Sequence, residues 1–242
     1  VVTSWPGMAS AALADAIDAL PGGSSYRVVF ATFSSTNPTN FLINASGTTI
    51  SGYNTHATTI AGFGTVTNPL SLGWTALAST DAVNAQVNTG TDKTSSAPVS
   101  IFNTNGDLLA TSYSDLWDGS LLNPVGYNQD GEALILTQPG AARVWTGTGQ
   151  TGLTTDEAGQ GALGDTIASF GSALGSDATW MRDTFDLGVG AGLAASGANQ
   201  YSIYAISDVA TKAGTGSQPP VADANGPYEG TEGVAVSFDG SA

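Results

Sequence analysis

The sequence predicts an α+β fold, and three observations lead there. An Ala-rich amphipathic segment stands early, short β-branched and aromatic runs dominate the later part, and long Ser-, Thr-, Asn- and Gly-rich stretches separate them. The 242 residues suffice for one large domain or two smaller ones, and 41% hydrophobic residues are enough for a substantial core.

Met8, Leu13, Ile17 and Leu20 recur at three to five residues and predict a helix over residues 8–20, stopped by Pro21-Gly22-Gly23. Residues 26–33 (YRVVFATF) read as a largely buried strand. Residues 34–47 are rich in Ser, Thr and Asn and read as loop. Ile50, Tyr53, Ala57 and Ile60 share one side of a weaker second helix over residues 50–60, and residues 74–77 make a short strand. Residues 97–110 form the clearest hairpin: Val99, Ile101 and Phe102 precede the turn, Leu108 and Leu109 follow, and Asn105-Gly106 supplies the positive φ of a tight turn. Ser114 reads as the N-cap of a helical turn through Leu116 and Trp117 that Gly119 ends. Residues 133–136 and 143–145 are brief strands, residues 146–164 a Gly-rich loop, and residues 200–206 (QYSIYAI) a closing strand.

Charge narrows the function. Twenty acidic residues against five basic ones give −15, and Arg27, Lys93, Arg143, Arg182 and Lys212 are too scattered for a basic patch. Nucleic acid and anionic membrane surfaces, which need clustered cations, are therefore not expected partners. The acidic balance attracts divalent cations, which makes Ca²⁺ the one cofactor to expect, if any. The absence of cysteine excludes disulfides, thiolate zinc sites and cysteine nucleophiles. No apolar run reaches the roughly eighteen residues of a membrane span. The first Met stands at position 8, which predicts a secreted or cell-surface protein whose N-terminal export signal has been removed; a trimmed chain is the other reading.

Two resemblances follow from particular residues. Pro219-Pro220-Val221-Ala222-Asp223-Ala224-Asn225-Gly226-Pro227-Tyr228 and Val236-Ser237-Phe238-Asp239-Gly240-Ser241 resemble the opening strands of a PKD domain, an immunoglobulin-like β-sandwich of exported proteins. The body resembles the endostatin domain, a variant of the C-type-lectin-like fold. The residues concerned are Tyr26-Arg27-Val28-Val29-Phe30, Trp74-Thr75-Ala76-Leu77-Ala78-Ser79, Pro98-Val99-Ser100-Ile101-Phe102-Asn103 with Leu108-Leu109, Ser114-Asp115-Leu116-Trp117-Asp118-Gly119-Ser120, Arg143-Val144-Trp145-Thr146-Gly147-Thr148 and Tyr201-Ser202-Ile203-Tyr204-Ala205-Ile206. The resemblances imply an endostatin-like, C-type-lectin-like body over residues 1–207 with short strands, two helices and long loops, a linker over 208–218, and PKD strands over 219–242. They also imply that the ends of the body meet in one sheet, with Phe30 buried there. Endostatin's disulfides, histidine zinc site and basic heparin-binding face have no counterpart residues here, so no functional residue carries over.

Few residues offer chemistry. His56 is the only imidazole and has no Gly-x-Ser-x-Gly elbow to serve, so it reads as a helix-face residue. Asp115, Asp118, Asp130 and Glu132 are the carboxylates that a glycosidase pair would draw on, and solvated loop or cap residues otherwise. Asn103, Asn105 and Asp107, and likewise Asn128, Asp130 and Glu132, set oxygen ligands at alternate positions around a Gly turn; they suit a Ca²⁺ site or an ordinary turn. Trp117, Trp145 and Trp180 could line a sugar-stacking face, with core as the better reading of the first two, which leaves Trp5 as the expected ligand contact. The leading expectation is no enzyme but an extracellular module for adhesion or assembly of a cell-surface or filamentous structure. It would self-associate through its C-terminal tail by strand addition, or contact surface glycans or matrix proteins, without inserting in a membrane. A glycan-binding lectin-like module using Ca²⁺ or aromatic stacking comes second, and an exported hydrolase with an appended PKD domain third.

Overall fold

The axis of the fold is an antiparallel pair drawn from distant parts of the chain, β1 (Ser25–Ala31) and β9 (Gln200–Ser207). The computed structural model describes residues 10–34, 38–135, 142–154, 161–182 and 194–214; Trp5, Met8, Leu136 and the expected strands within 219–242 lie outside them. Val29 pairs with Ile206, Phe30 with Ala205 and Ala31 with Tyr204, and Phe30 is fully buried. The expected juxtaposition of these two segments is thus found.

Around this pair the chain assembles a mixed sheet. β4 (Pro98–Asn103) runs parallel to β1 on its other side and turns back into β5 (Leu108–Ser112). Beyond β9 come β6 (Arg143–Trp145), parallel to it, then β7 (Ile167–Ser172) and β8 (Ala194–Ser196), each antiparallel to its predecessor. Two short strands, β2 (Ile43–Asn44) and β3 (Trp74–Ala76), also pair with β9, and β10 (Ala210–Thr211) pairs with the start of β1.

Alternation along β1 and β9 sorts their side chains onto two faces, and both faces are buried. Val28, Phe30, Tyr201, Ile203 and Ala205 face a core built with Leu13 and Ile17 of α1 (Ala11–Asp18), Tyr53, Ala57 and Ile60 of α3 (Ile50–Phe63), and Trp74, Trp145 and Phe170. α2 (Pro38–Phe41) is a single turn between β1 and β2. Val29, Ala31, Tyr204 and Ile206 face a second core that contains Leu109, Leu116, Trp117, Val125, Trp180 and Met181. Two short helices border that side, α4 (Ala85–Thr89) and α5 (Tyr113–Leu116). A mixed sheet carrying helices on one face and largely loops on the other is an α+β arrangement.

α3 is a poor helix by propensity, with two glycines and three threonines. Tertiary bonds hold it. Thr58 Oγ1 donates to Trp74 O at 2.9 Å, Asn54 Oδ1 accepts from Ala76 N at 3.0 Å, and Asn88 Nδ2 of α4 donates to Ala76 O at 2.7 Å. These bonds occupy β3 on the side away from β9. The outer strand β5 is closed in the same way: Leu109 O accepts from Leu122 N, Leu108 O from Asn123 Nδ2, and Thr111 N donates to Asp115 Oδ2.

The structure differs from the sequence reading in several places. It has five helices where two were expected, three of them of only four or five residues, and of the strand expected over 133–136 only a bridge from Ala133 to Tyr127 forms among the described residues. The stretch 34–47, read as loop, contains α2 and β2. The helical turn near Trp117 is capped by Ser112, whose hydroxyl accepts from Asp115 N at 3.1 Å, and not by Ser114, because the chain leaves the extended conformation two residues earlier. Residues 210–212, read as linker, belong to the sheet: β10 pairs with Ser25 and Tyr26, and Lys212 exchanges backbone bonds with Gly23 and Ser24. β7 and α4 went unread, since IASFGS and AQVNT carry too little apolar periodicity to announce an element.

Candidate functional site

The two Gly turns singled out as oxygen-rich fold alike. In each, the first Asn donates its backbone N–H to the carbonyl of the acidic residue four positions on, Asn103 N to Asp107 O and Asn128 N to Glu132 O, both at 3.0 Å. In each, its carbonyl accepts the glycine N–H, from Gly106 and Gly131, again at 3.0 Å. The Asn side chain then fills the turn. Asn103 Oδ1 accepts from Asn105 N and Asp107 N at 3.0 and 2.9 Å, and Asn128 Oδ1 accepts from Asp130 N and Glu132 N, both at 2.9 Å. Its amide donates to the acid, Asn103 Nδ2 to Asp107 Oδ2 at 3.0 Å and Asn128 Nδ2 to Glu132 Oε2 at 3.1 Å. A side chain with one two-fold acceptor and one donor group is what this pattern of backbone N–H groups and carboxylate requires.

The turns are neighbours in space. Thr104 Oγ1, fully buried, donates to Asn128 O at 2.7 Å. Asn128 Nδ2 and Gln129 Nε2 both donate to Phe33 O, at 3.1 and 2.8 Å, while Phe33 N donates to Gln129 Oε1 at 3.3 Å. Gln129 O accepts from Val66 N and Thr67 N, and Asp130 Oδ1 accepts from Thr65 N at 2.8 Å. The end of β1, the exit of α3 and both turns therefore meet in one buried polar hub. Thr104 and Gln129 are the residues that sequence reasoning missed; nothing local in Asn128-Gln129-Asp130 marks Gln129 as the partner of Phe33.

A hard cation such as Ca²⁺ takes about six to eight oxygens. Asn103 Oδ1 and Asn128 Oδ1 each already accept two backbone N–H groups, and both Asp130 oxygens accept, from Thr65 N and Gln129 Nε2. Among the described residues no group of three or more His, Asp or Glu converges. The turns as folded do not fit a calcium ion.

The other candidates also hold structural places. His56 faces Phe41 O at 3.1 Å through Nε2, and burial pushes its pKa down. Asp115 accepts from Thr111 N and Oγ1, Asp118 from Ser120 N and Oγ, and Glu132 is exposed. Trp117, Trp145 and Trp180 are each fully buried. Trp117 Nε1 bonds Thr91 O at 2.9 Å, and Trp145 Nε1 bonds Ile43 O at 2.9 Å. Trp180 lies against Trp117 with ring centroids 5.8 Å apart. Buried Arg27 ties β1 to β9 and α4 through Ser207 O at 2.6 Å and Thr89 O at 2.8 Å, and burial lowers its pKa.

Fold and hub together define the class, an α+β domain whose loops are tied by a buried polar network. No protein-family model matches the sequence, and no curated protein matches it.

Proposed function

We propose that this chain is a non-enzymatic extracellular module for adhesion or for assembly of a cell-surface or extracellular structure. The observation that carries the reading is the engagement of its chemistry-bearing side chains: His56, Asp115, Asp118, Asn103, Asn128 and Asp130 all hold loops or helix ends by hydrogen bonds. What such a molecule offers a partner is its Ser-, Thr-, Asn- and Gly-rich acidic surface. The pairing of β1 with β9, and of β10 with β1, supports an endostatin-like, C-type-lectin-like body, in which both ends of the domain meet in one sheet. The segment 219–242 is read as the start of a PKD domain, and the protein as secreted or surface-bound after loss of an export signal. Self-association through that segment is part of the proposal. Since β3 and β5 already carry caps from their own chain, strand addition at either would have to displace them.

The test is attachment without turnover. Fluorescently labelled chain is expected to be retained on the producing cells or their matrix, and a panel of chromogenic glycosides and peptides is expected to remain uncleaved. Specific turnover of any substrate in the panel would overturn the reading. Glycan recognition is the second reading, favoured by Arg143, whose guanidinium lies over the rings of Phe170 and Tyr201.

A further inference from the structure

On a chain with 20 acidic and 5 basic residues, a cation held on an aromatic platform and not by a carboxylate stands out. Lys212 pairs with Asp18 at 2.6 Å, and Arg27 is buried against backbone carbonyls. Arg143, on β6, differs from both. Its guanidinium lies over the rings of Phe170 and Tyr201, at 5.6 and 5.5 Å from their centroids, and Nη1 donates to Tyr201 Oη at 3.0 Å. No carboxylate among the described residues bonds to it. Arg143 is only half-buried, and none of its nitrogens is among the buried atoms left without a partner. The platform is rigid: Phe170 and Tyr201 are almost fully buried and pack edge-on at 5.8 Å, and Tyr201 lies 4.5 Å from Trp145.

We propose that Arg143 is the carboxylate-binding point for an acidic sugar of the uronate class. The proposal rests on the reading of the chain as a non-enzymatic surface module and names one ligand class for it. A guanidinium presents paired N–H donors that match a carboxylate two to one, and stacking on two rings already fixes the side chain, so little rotamer freedom remains to be lost on binding. The neighbours suit sugar hydroxyls more than a second charge. Asn199 is exposed and reaches Tyr201 Oη through Nδ2 at 3.3 Å, which leaves its carbonyl oxygen to accept from a hydroxyl. Ser172 lies directly across the β6–β7 pair from Arg143. Recognition has to be local. At physiological salt the screening length is about 8 Å, so most of the protein's negative charge is hidden from a ligand seated on Arg143.

The experiment is titration of the whole chain at physiological ionic strength with a galacturonic acid oligosaccharide, the corresponding neutral galactose oligosaccharide, and acetate. Binding is followed by calorimetry and by NMR of the arginine Nε–H groups. The proposal expects saturable binding of the uronate alone, weakened at least tenfold by Arg143→Gln and several-fold by Arg143→Lys, with Lys93→Gln unchanged. Tyr201→Phe keeps the platform but removes the hydroxyl strut, so it is expected to weaken binding several-fold even if Arg143→Gln fails to fold. Absence of saturable uronate binding, unchanged binding in folded Arg143→Gln, or acetate binding as tightly as the uronate overturns the proposal. Failure here with surface retention intact sinks only the uronate site, whereas cleavage of the oligosaccharide sinks the non-enzymatic reading itself.

Discussion

The turns at 103–107 and 128–132 share one sequence pattern, Asn-x-Asn/Asp-Gly-Asp/Glu, and one internal hydrogen-bond scheme, yet they are embedded differently. The first joins two strands and presses its glycine on a helix: a Cβ on Gly106, which has φ +90°, would stand 2.5 Å from Ala12 O. The second joins loops, and its glycine is roomier, with φ +74° and Val66 Cγ2 at 3.2 Å from a built Cβ. In exchange its Asn and Gln side chains reach out to the end of β1, which the first turn does not do. Local pattern thus fixes the turn, and tertiary context decides which residue of the turn is indispensable.

That contrast orders the expected stability changes. Asn128→Ala removes two backbone acceptor bonds and the amide bonds to Phe33 O and Glu132, and it strands buried partners, so about 3–4 kcal/mol should be lost in denaturant unfolding. Asn103→Ala also removes an amide bond, to Pro124 O at 3.3 Å, but leaves both bonds to Phe33 O intact, and should cost less, about 2 kcal/mol. An equal loss for both would mean that the link to Phe33 carries no weight.

The glycines should rank in the opposite order. Gly106→Ala combines a left-handed backbone with collision against a helix carbonyl and is expected to cost about 3 kcal/mol. Gly131→Ala meets a methyl group at 3.2 Å and a carbonyl oxygen only at the ordinary contact distance of 3.6 Å, and should cost about 1 kcal/mol. Comparable values would show that α1 moves aside freely. Melting temperatures of the four variants, measured side by side, decide both rankings.

How far the sequence announced all this depends on where each signal lies. Tyr26 to Ala31 and Gln200 to Ile206 were legible because strand propensity and burial agree along them. The Asn105-Gly106 turn was legible because a positive φ selects its residues. α4 was not, although Asn84 and Gly90 cap it, because five residues hold too little periodicity. The oxygen-rich spacing of both turns was visible too, but spacing alone does not say whether oxygens point outward to an ion or inward to backbone N–H groups. Gln129 was invisible, since its partner stands 96 residues away.

The smallest expected effect comes from outside both turns. Burial holds the pKa of His56 below its usual 6.5, so the folded state favours the neutral ring. Its contribution to stability is therefore present above pH 6.5 and declines as pH falls through the unfolded value toward the lower folded one. Wild-type stability should fall more between pH 7.5 and 5 than that of His56→Gln, which removes the titrating group. Parallel pH profiles would show that His56 is not desolvated in solution.

The central claim is that Asn side chains, and not a metal ion, hold the two turns. It is tested most directly by melting the wild type, Asp107→Asn and Glu132→Gln in calcium chloride and in sodium chloride of equal ionic strength. The account predicts that any difference between the salts is the same for all three proteins, because N–H donors already occupy the Asn103, Asn128 and Asp130 side-chain oxygens. A calcium-specific rise in the wild-type melting temperature that disappears in either variant would contradict it.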